Sequence, residues 1–230
     1  GLENAGAEFG VAEIEELAKL PRVIGLAEVM DFIDVIEGGD RMMDIIEVAE
    51  KNGLYLQGHA PFVTGRSLSA YLCGGPNTCH ESRLGEEAKE KIRSGMHVDA
   101  RDSSITKNVK EIWEGVKDFR FFDNLSLCTD DREADDILHN GHMNDVPGMV
   151  GGYAMERLIK ASGDGLMEPV AAIKSATLNN AREAGLENLG AVAPGYVADL
   201  QLVESLTELK PSKVFFGGKL VAENGKLLAS

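Results

Sequence analysis

Along most of the chain, short apolar runs rich in β-branched residues alternate with stretches in which apolar residues recur every three or four positions. That order is the signature of parallel β/α units. Val23-Ile24-Gly25-Leu26 is the first such run and ends at Ala27-Glu28; Met42, Ile45, Ile46 and Ala49 then recur at helical spacing until Asn52-Gly53 supplies a stop. Leu54 to Gln57 is a second strand, ending at Gly58-His59. The pattern next predicts a short helix over Arg66 to Cys73, a brief extended stretch into His80-Glu81, a charged amphipathic helix over Glu86 to Ser94 and a strand over Met96 to Arg101. Ile105 to Val116 is predicted helical, and Leu125 to Cys128 is a short buried strand ending at Thr129-Asp130-Asp131. Further helices are predicted near Val150 to Lys160 and over Pro169 to Ala184.

After Gly190 the texture changes to Gly/Pro turns with short alternating runs, Ala198 to Val203 and Lys213 to Phe216, followed by a Gly217-Gly218 turn. The chain is therefore read as an α/β domain over 1–189 followed by a segment of a small β-subdomain over 190–230. A closed (β/α)8 barrel takes eight strands and roughly 250 residues, and only about five strand-to-helix units precede the β tail. The fold expected is a partial (β/α)8 TIM barrel that begins partway round.

With 230 residues, 43% of them hydrophobic and 27% charged, the chain can bury a real core in one or two domains. Its 23 basic against 38 acidic residues give a net charge of −15, which repels phosphate backbones and anionic lipid surfaces, so neither nucleic acid nor membrane is expected as a partner. No apolar run approaches the ~18 residues needed to cross a bilayer, and the first residues lack a signal-peptide pattern. The three cysteines, Cys73, Cys79 and Cys128, form no C-x-x-C pair and are read as small buried hydrophobes. A reducing, cytoplasmic setting is the expectation.

Four strand ends carry a residue able to bind metal or move a proton: Glu28, His59, His80 and Asp130. In parallel α/β architectures the carboxyl ends of the strands form the site, so these four are expected to converge on one mouth. Imidazole with carboxylate suits a divalent ion such as Zn, Mn or Fe(II), which lowers the pKa of a bound water for hydrolysis. The bland alternative is a set of separately satisfied polar residues at strand ends. His97 alternates within a strand run and reads as structural; His139 and His142 are three apart, but Asn140-Gly141 between them points to a loop. The nucleobase-deaminase pair H-x-E with P-C-x-x-C, the H-E-x-x-H and G-x-S-x-G motifs and the P-loop are all missing from the sequence.

Several strings together have a family likeness. Gly25-Leu-Ala-Glu-Val-Met30, Gly58-His-Ala-Pro61, His80-Glu81, Leu127-Cys-Thr-Asp-Asp-Arg132, Gly141-His142, Ala176-Thr-Leu-Asn179 and Gly190-Ala-Val-Ala-Pro-Gly-Tyr-Val-Ala-Asp-Leu200 resemble the adenine deaminases of the amidohydrolase superfamily, in order and over nearly the whole chain. The resemblance implies a TIM barrel of the metal-dependent hydrolase type with a composite β-subdomain, and hydrolysis of adenine to hypoxanthine and ammonia. It implies a divalent metal, two per complete site, as Mn, Fe or Zn. Carried over by position, Glu28 would bridge the metals, His59 and His80 would hold the second, and Asp130 would bind the first and relay a proton. Glu81 would protonate a ring nitrogen, with Asp131, Arg132 and His142 on the substrate side. The partner implied is a small purine base, and the enzyme is expected to be a homo-oligomer.

The departures are specific. The family's His-x-His at the first barrel strand has no counterpart among the five histidines, at 59, 80, 97, 139 and 142. Cys79 stands where the family usually has an acid, and Asp102 where a Glu is common. Without that strand the chain is expected to need the missing segment for activity. Two alternatives stay open: an amidohydrolase acting on cyclic amides or N-acyl amino acids, and an inactive fragment with a binding or assembly role.

Overall fold

The structure is a computed structural model that describes residues 6–140, 169–206 and 211–228. The chain forms two compact units, Gly1–Asp99 and Ala100–Ser230.

In the first unit, helix α1 (Val11–Leu17) precedes strand β1 (Gly25–Val29), helices α2 (Phe32–Glu37) and α3 (Asp40–Lys51), and strand β2 (Tyr55–Gly58). Helix α4 (Gly65–Cys73), strand β3 (Thr78–Cys79), helix α5 (Gly85–Arg93) and most of strand β4 (His97–Arg101) complete it. β1 pairs in parallel with β2 through Gly25–Tyr55, Leu26–Leu56 and Val29–Gly58. β3 pairs in parallel with β4 through Thr78–His97 and Cys79–Val98. Helix α3 turns Met42, Ile45, Ile46 and Ala49 inward, the apolar spacing that predicted it, and they pack with Val29, Leu56, Leu68, Tyr71 and Met96 into one core. Helices α1 and α2 were not anticipated, because at 7 and 6 residues each is too short to show a period. α2 is defined by its ends: Asp31 accepts a hydrogen bond from the Asp34 backbone N–H, and left-handed Gly38 stops it.

The second unit holds helix α6 (Val109–Val116), strand β5 (Leu125–Cys128), helix α7 (Ala134–Asn140), the helices Pro169–Ala176 and Leu178–Glu183, and strands β6 (Leu200–Val203), β7 (Pro211–Phe216), β8 (Lys219–Glu223) and β9 (Lys226–Leu227). β6 to β9 form an antiparallel sheet in chain order, as the alternating tail predicts. Two of its connections, Gly217-Gly218 and Asn224-Gly225, are two-residue turns with both residues at positive φ, which such a hairpin requires. α6 starts four residues later than its apolar pattern suggests, because the Ser103 hydroxyl accepts the N–H groups of Ile105 and Thr106 and holds them in a turn. The helix predicted from Pro169 to Ala184 breaks at Thr177, whose backbone leaves the helical region and whose hydroxyl donates back to the Ile173 carbonyl. The helix predicted near Val150 to Lys160 lies outside the described residues.

The buried reading of the cysteines holds for Cys79 only. Cys73, at the C-terminal end of α4, is exposed, and Cys128 is partly so. Among the described residues no helix is long and apolar enough to cross a membrane.

Candidate metal centre

In the first unit three of the sequence-selected residues meet. Glu28 is the penultimate residue of β1, and His59 and His80 each follow the last residue of their strands, β2 and β3. Glu28 Oε2 lies 2.7 Å from His80 Nε2 and 3.4 Å from His59 Nδ1. The two imidazoles meet edge to face with centroids 5.3 Å apart. One ligand-type atom from each of the three lies within 4.8 Å of the others. His59 and His80 are 14% and 7% exposed and Glu28 31%, so the histidines form the floor and the carboxylate the open side.

The electrostatics favour a cation. Contact with His59, and then with His80, holds the Glu28 carboxyl down to about 2 in spite of burial, so the group is an anion at any ordinary pH. His59 Nδ1 is buried and, among the described residues, has no hydrogen-bond partner of good geometry, its near neighbour being the Glu28 carboxylate at 3.4 Å. A buried ring nitrogen left without a hydrogen bond beside a carboxylate is the arrangement a divalent ion would complete, and two nitrogens with an oxygen form a donor set of the right chemistry.

Local packing explains why these side chains meet. The His59 backbone N–H donates to Tyr71 Oη at 3.0 Å, and that hydroxyl donates to the Val29 carbonyl at 3.2 Å. Tyr71, from α4, thus ties the ends of β1 and β2 together, and burial pushes its phenol pKa up. Gly58 permits the next approach. Its N–H donates to Thr78 Oγ1 at 2.8 Å, and a Cβ here would stand 2.3 Å from the Thr78 carbonyl oxygen and 2.8 Å from Tyr71 Oη. On the far side of His80, Gln57 Nε2 lies 3.2 Å from Nδ1. Glu81 is buried directly after His80 and faces the Arg83 guanidinium at 3.6 Å.

Asp130 belongs to the second unit. It lies two residues beyond β5 at a φ of +51°, a left-handed conformation that Asp tolerates better than most side chains, and it is ion-paired with Arg101. Asp131 is exposed, and its carbonyl accepts the Ser104 N–H. Arg132 is directed inward: Nη1 donates to the Asp102 carbonyl at 2.8 Å and Nη2 pairs with Asp136 at 3.1 Å. Asp102 is itself buried and paired with Lys107 at 3.1 Å. His142 lies outside the described residues. His139 sits in the last turn of α7, which runs through Asn140 where a loop was expected, and its Nδ1 is 2.7 Å from the Asp135 carbonyl. His97 Nε2 lies 3.9 Å from Asp99 Oδ1.

Sequence reasoning did not single out Gln57, Tyr71, Glu87 or Lys91, all of which touch the turns that carry the histidines. Only the Glu87/Lys91 spacing left a sequence signal, and an (i, i+4) pair in a charged helix ordinarily marks a solvated face.

Comparison with known proteins gives the chain a family. The Amidohydrolase family model matches residues 9–221. An adenine deaminase from Kosmotoga olearia is 38% identical over 230 residues, which is 99% of this chain and 37% of that protein. One from Petrotoga mobilis is 38% identical over 226 residues, 98% of this chain and 37% of that protein. The chain therefore spans about 37% of the length of these curated relatives. Among solved structures, a beta-aspartyl dipeptidase from Fervidobacterium islandicum matches with a TM-score of 0.64 at 18% identity, covering 95% of this chain and 62% of that one. An adenosine deaminase from Xanthomonas campestris with bound zinc matches with a TM-score of 0.55 at 15% identity, covering 82% of this chain and 50% of that one. At such identities the likeness is one of fold, a part of the TIM-barrel hydrolase architecture.

Proposed function

The chain belongs to the amidohydrolase family, and from that premise we propose that it carries half of a metal centre for the hydrolytic deamination of adenine to hypoxanthine and ammonia. The observation that carries this reading is the meeting of Glu28, His59 and His80 within 4.8 Å at the ends of three strands. Relatives named adenine deaminase at 38% identity support the choice of substrate.

Glu28, His59 and His80 would hold a divalent ion, manganese, iron or zinc, two per complete site; when bound it supplies charge to acidify a water and polarise the base. Glu28 would hold that ion together with both histidines through Oε2, which faces the two imidazoles, and Oε1 would be left for the other ion of a complete site. His80 is oriented from behind by Gln57, whose side-chain amide nitrogen lies 3.2 Å from Nδ1 and leaves Nε2, 2.7 Å from Glu28, as the ring atom that would face the ion. Glu81 would give a proton to a ring nitrogen, making C6 more electrophilic. Asp130 would take the proton of the attacking water and pass it to the departing amine, so that adenine and water leave as hypoxanthine and ammonia. Asp131, Arg132 and His142 are assigned to the substrate side. The proposal includes a homo-oligomer working in the cytoplasm on free purine base.

The test is ammonia release from adenine after loading with Mn(II), with adenosine and Glu28→Gln alongside, for the chain alone and with a relative's His-x-His region supplied. We expect release from adenine only, dependent on that region and lost in the variant. Failure of the wild-type chain to bind any divalent metal would overturn the reading.

A further inference from the structure

We infer that Lys91 and Glu87 are positioning residues for the metal centre: a fully enclosed ion pair that sets the spacing between the turn carrying His59 and the turn carrying His80. The inference rests on the metal reading of Glu28, His59 and His80 above. Lys91 Nζ lies 2.6 Å from Glu87 Oε1, 2.6 Å from the Ala60 carbonyl oxygen, 3.1 Å from Ser82 Oγ and 3.3 Å from Cys79 Sγ. Lys91 is 0% and Glu87 3% exposed. Glu87 carries the network further, accepting the Phe62 N–H at 2.8 Å on Oε1 and the Arg83 N–H at 3.0 Å on Oε2.

These contacts are not spread at random. Ala60 and Phe62 are the first and third residues after His59, while Cys79, Ser82 and Arg83 bracket His80 and Glu81. Each member of the pair touches both turns, so α5 clamps the two histidine-bearing segments through charge-assisted hydrogen bonds, which are shorter and stronger than neutral ones. A buried ion pair serves stability poorly, since taking two charges out of water costs about what their attraction returns, and apolar replacements of equal volume often do as well. What apolar residues cannot do is hold the Ala60 carbonyl and the Phe62 and Arg83 N–H groups at fixed points. Groups that orient metal ligands from behind typically change metal affinity by ~10- to 100-fold when removed.

The test separates position from stability. Co(II) is titrated into the purified chain and into Lys91→Met, Glu87→Gln and the double variant Lys91→Met/Glu87→Leu, with Glu28→Gln and Lys51→Met as controls. Affinity, the visible Co(II) ligand-field band and thermal unfolding are read together. We expect Lys91→Met and Glu87→Gln to bind Co(II) roughly 10- to 100-fold more weakly with a shifted band. The double variant should regain thermal stability while remaining weak in Co(II), a split that a purely structural pair would not give. If a single variant fails to fold, the double variant decides. Binding within twofold of wild type, with an unchanged band, in a folded variant overturns the inference. Wild-type protein that binds no Co(II) overturns the metal reading beneath it, whereas wild-type binding abolished by Glu28→Gln but untouched by the Lys91 and Glu87 changes overturns the positioning role alone.

Discussion

Glu47 and Lys51 on α3 meet at 2.5 Å with side chains 60% and 67% exposed, whereas Glu87 and Lys91 on α5 meet at 2.6 Å with side chains 3% and 0% exposed. The residue types, the order and the (i, i+4) spacing are the same. On α3 the pair faces water, and its attraction holds the Glu47 carboxyl somewhat below its ordinary value and the Lys51 ammonium above it. On α5 the same pair is surrounded by backbone groups of two turns and has no water to fall back on. Helix geometry brings such residues together; only the surroundings decide whether the result is a minor surface contact or a structural clamp.

The largest expected effect breaks the enclosed pair. Lys91→Met leaves Glu87 charged and without its partner in a closed space, and should cost ~3–5 kcal/mol in urea unfolding. A loss below about 1 kcal/mol would mean that water reaches Glu87 and that the contrast with α3 is weaker than the structure indicates. Next comes Gly58→Ala, where the added methyl meets the Thr78 carbonyl at 2.3 Å. It should cost ~1–3 kcal/mol by overpacking, and it should weaken metal binding more than a change of equal cost far from β2, a difference that calorimetric titration would measure.

Glu28 stands between the two extremes, being partly exposed. Its carboxyl is held at about 2, below the usual 4.5, so its contribution to stability is fully present above pH 4.5 and is lost as the pH falls toward 2. The stability difference between wild type and Glu28→Gln should accordingly be constant above pH 4.5 and shrink below it; a difference that grows on acidification would reverse the assignment. The smallest effect is expected from Lys51→Met, whose thermal midpoint should match wild type within error. A clear drop there would show that exposure is a poor guide to which of the two pairs matters.

Much of the architecture was legible because strand and helix periods are local. α3, α4, α5, β2 and β5 appear within a residue or so of their predicted positions, since each is an unbroken run of one period. α6 and the stretch from Pro169 to Ala184 were overcalled because Ser103 and Thr177 redirect the backbone with their hydroxyls, which a hydropathy pattern does not register. At the site, Glu28, His59 and His80 were visible as chemistry-bearing residues at strand ends. Their supports were not: Tyr71 reads as one more apolar helix position, and Lys91 as one more surface charge. Both are recognisable only once segments 12 to 31 residues apart are seen to touch.

The Asn179 side chain has a consequence of a different kind. Its amide donates to the carbonyls of Phe122 and Leu125, at 2.6 Å and 2.8 Å, and Asn180 reaches Leu127 at 3.1 Å. The strand that leads to Asp130 is thus fastened by residues 53 to 57 positions downstream. As the chain leaves the ribosome, β5 can already accept the Asp102 N–H at its Cys128 carbonyl, while its Leu125 and Leu127 carbonyls wait for the asparagine amides of a stretch of chain not yet made. A ribosome stalled short of Asn179 would therefore hold a nascent chain in which the strand before Asp130 lacks its amide contacts and keeps only those to chain already made.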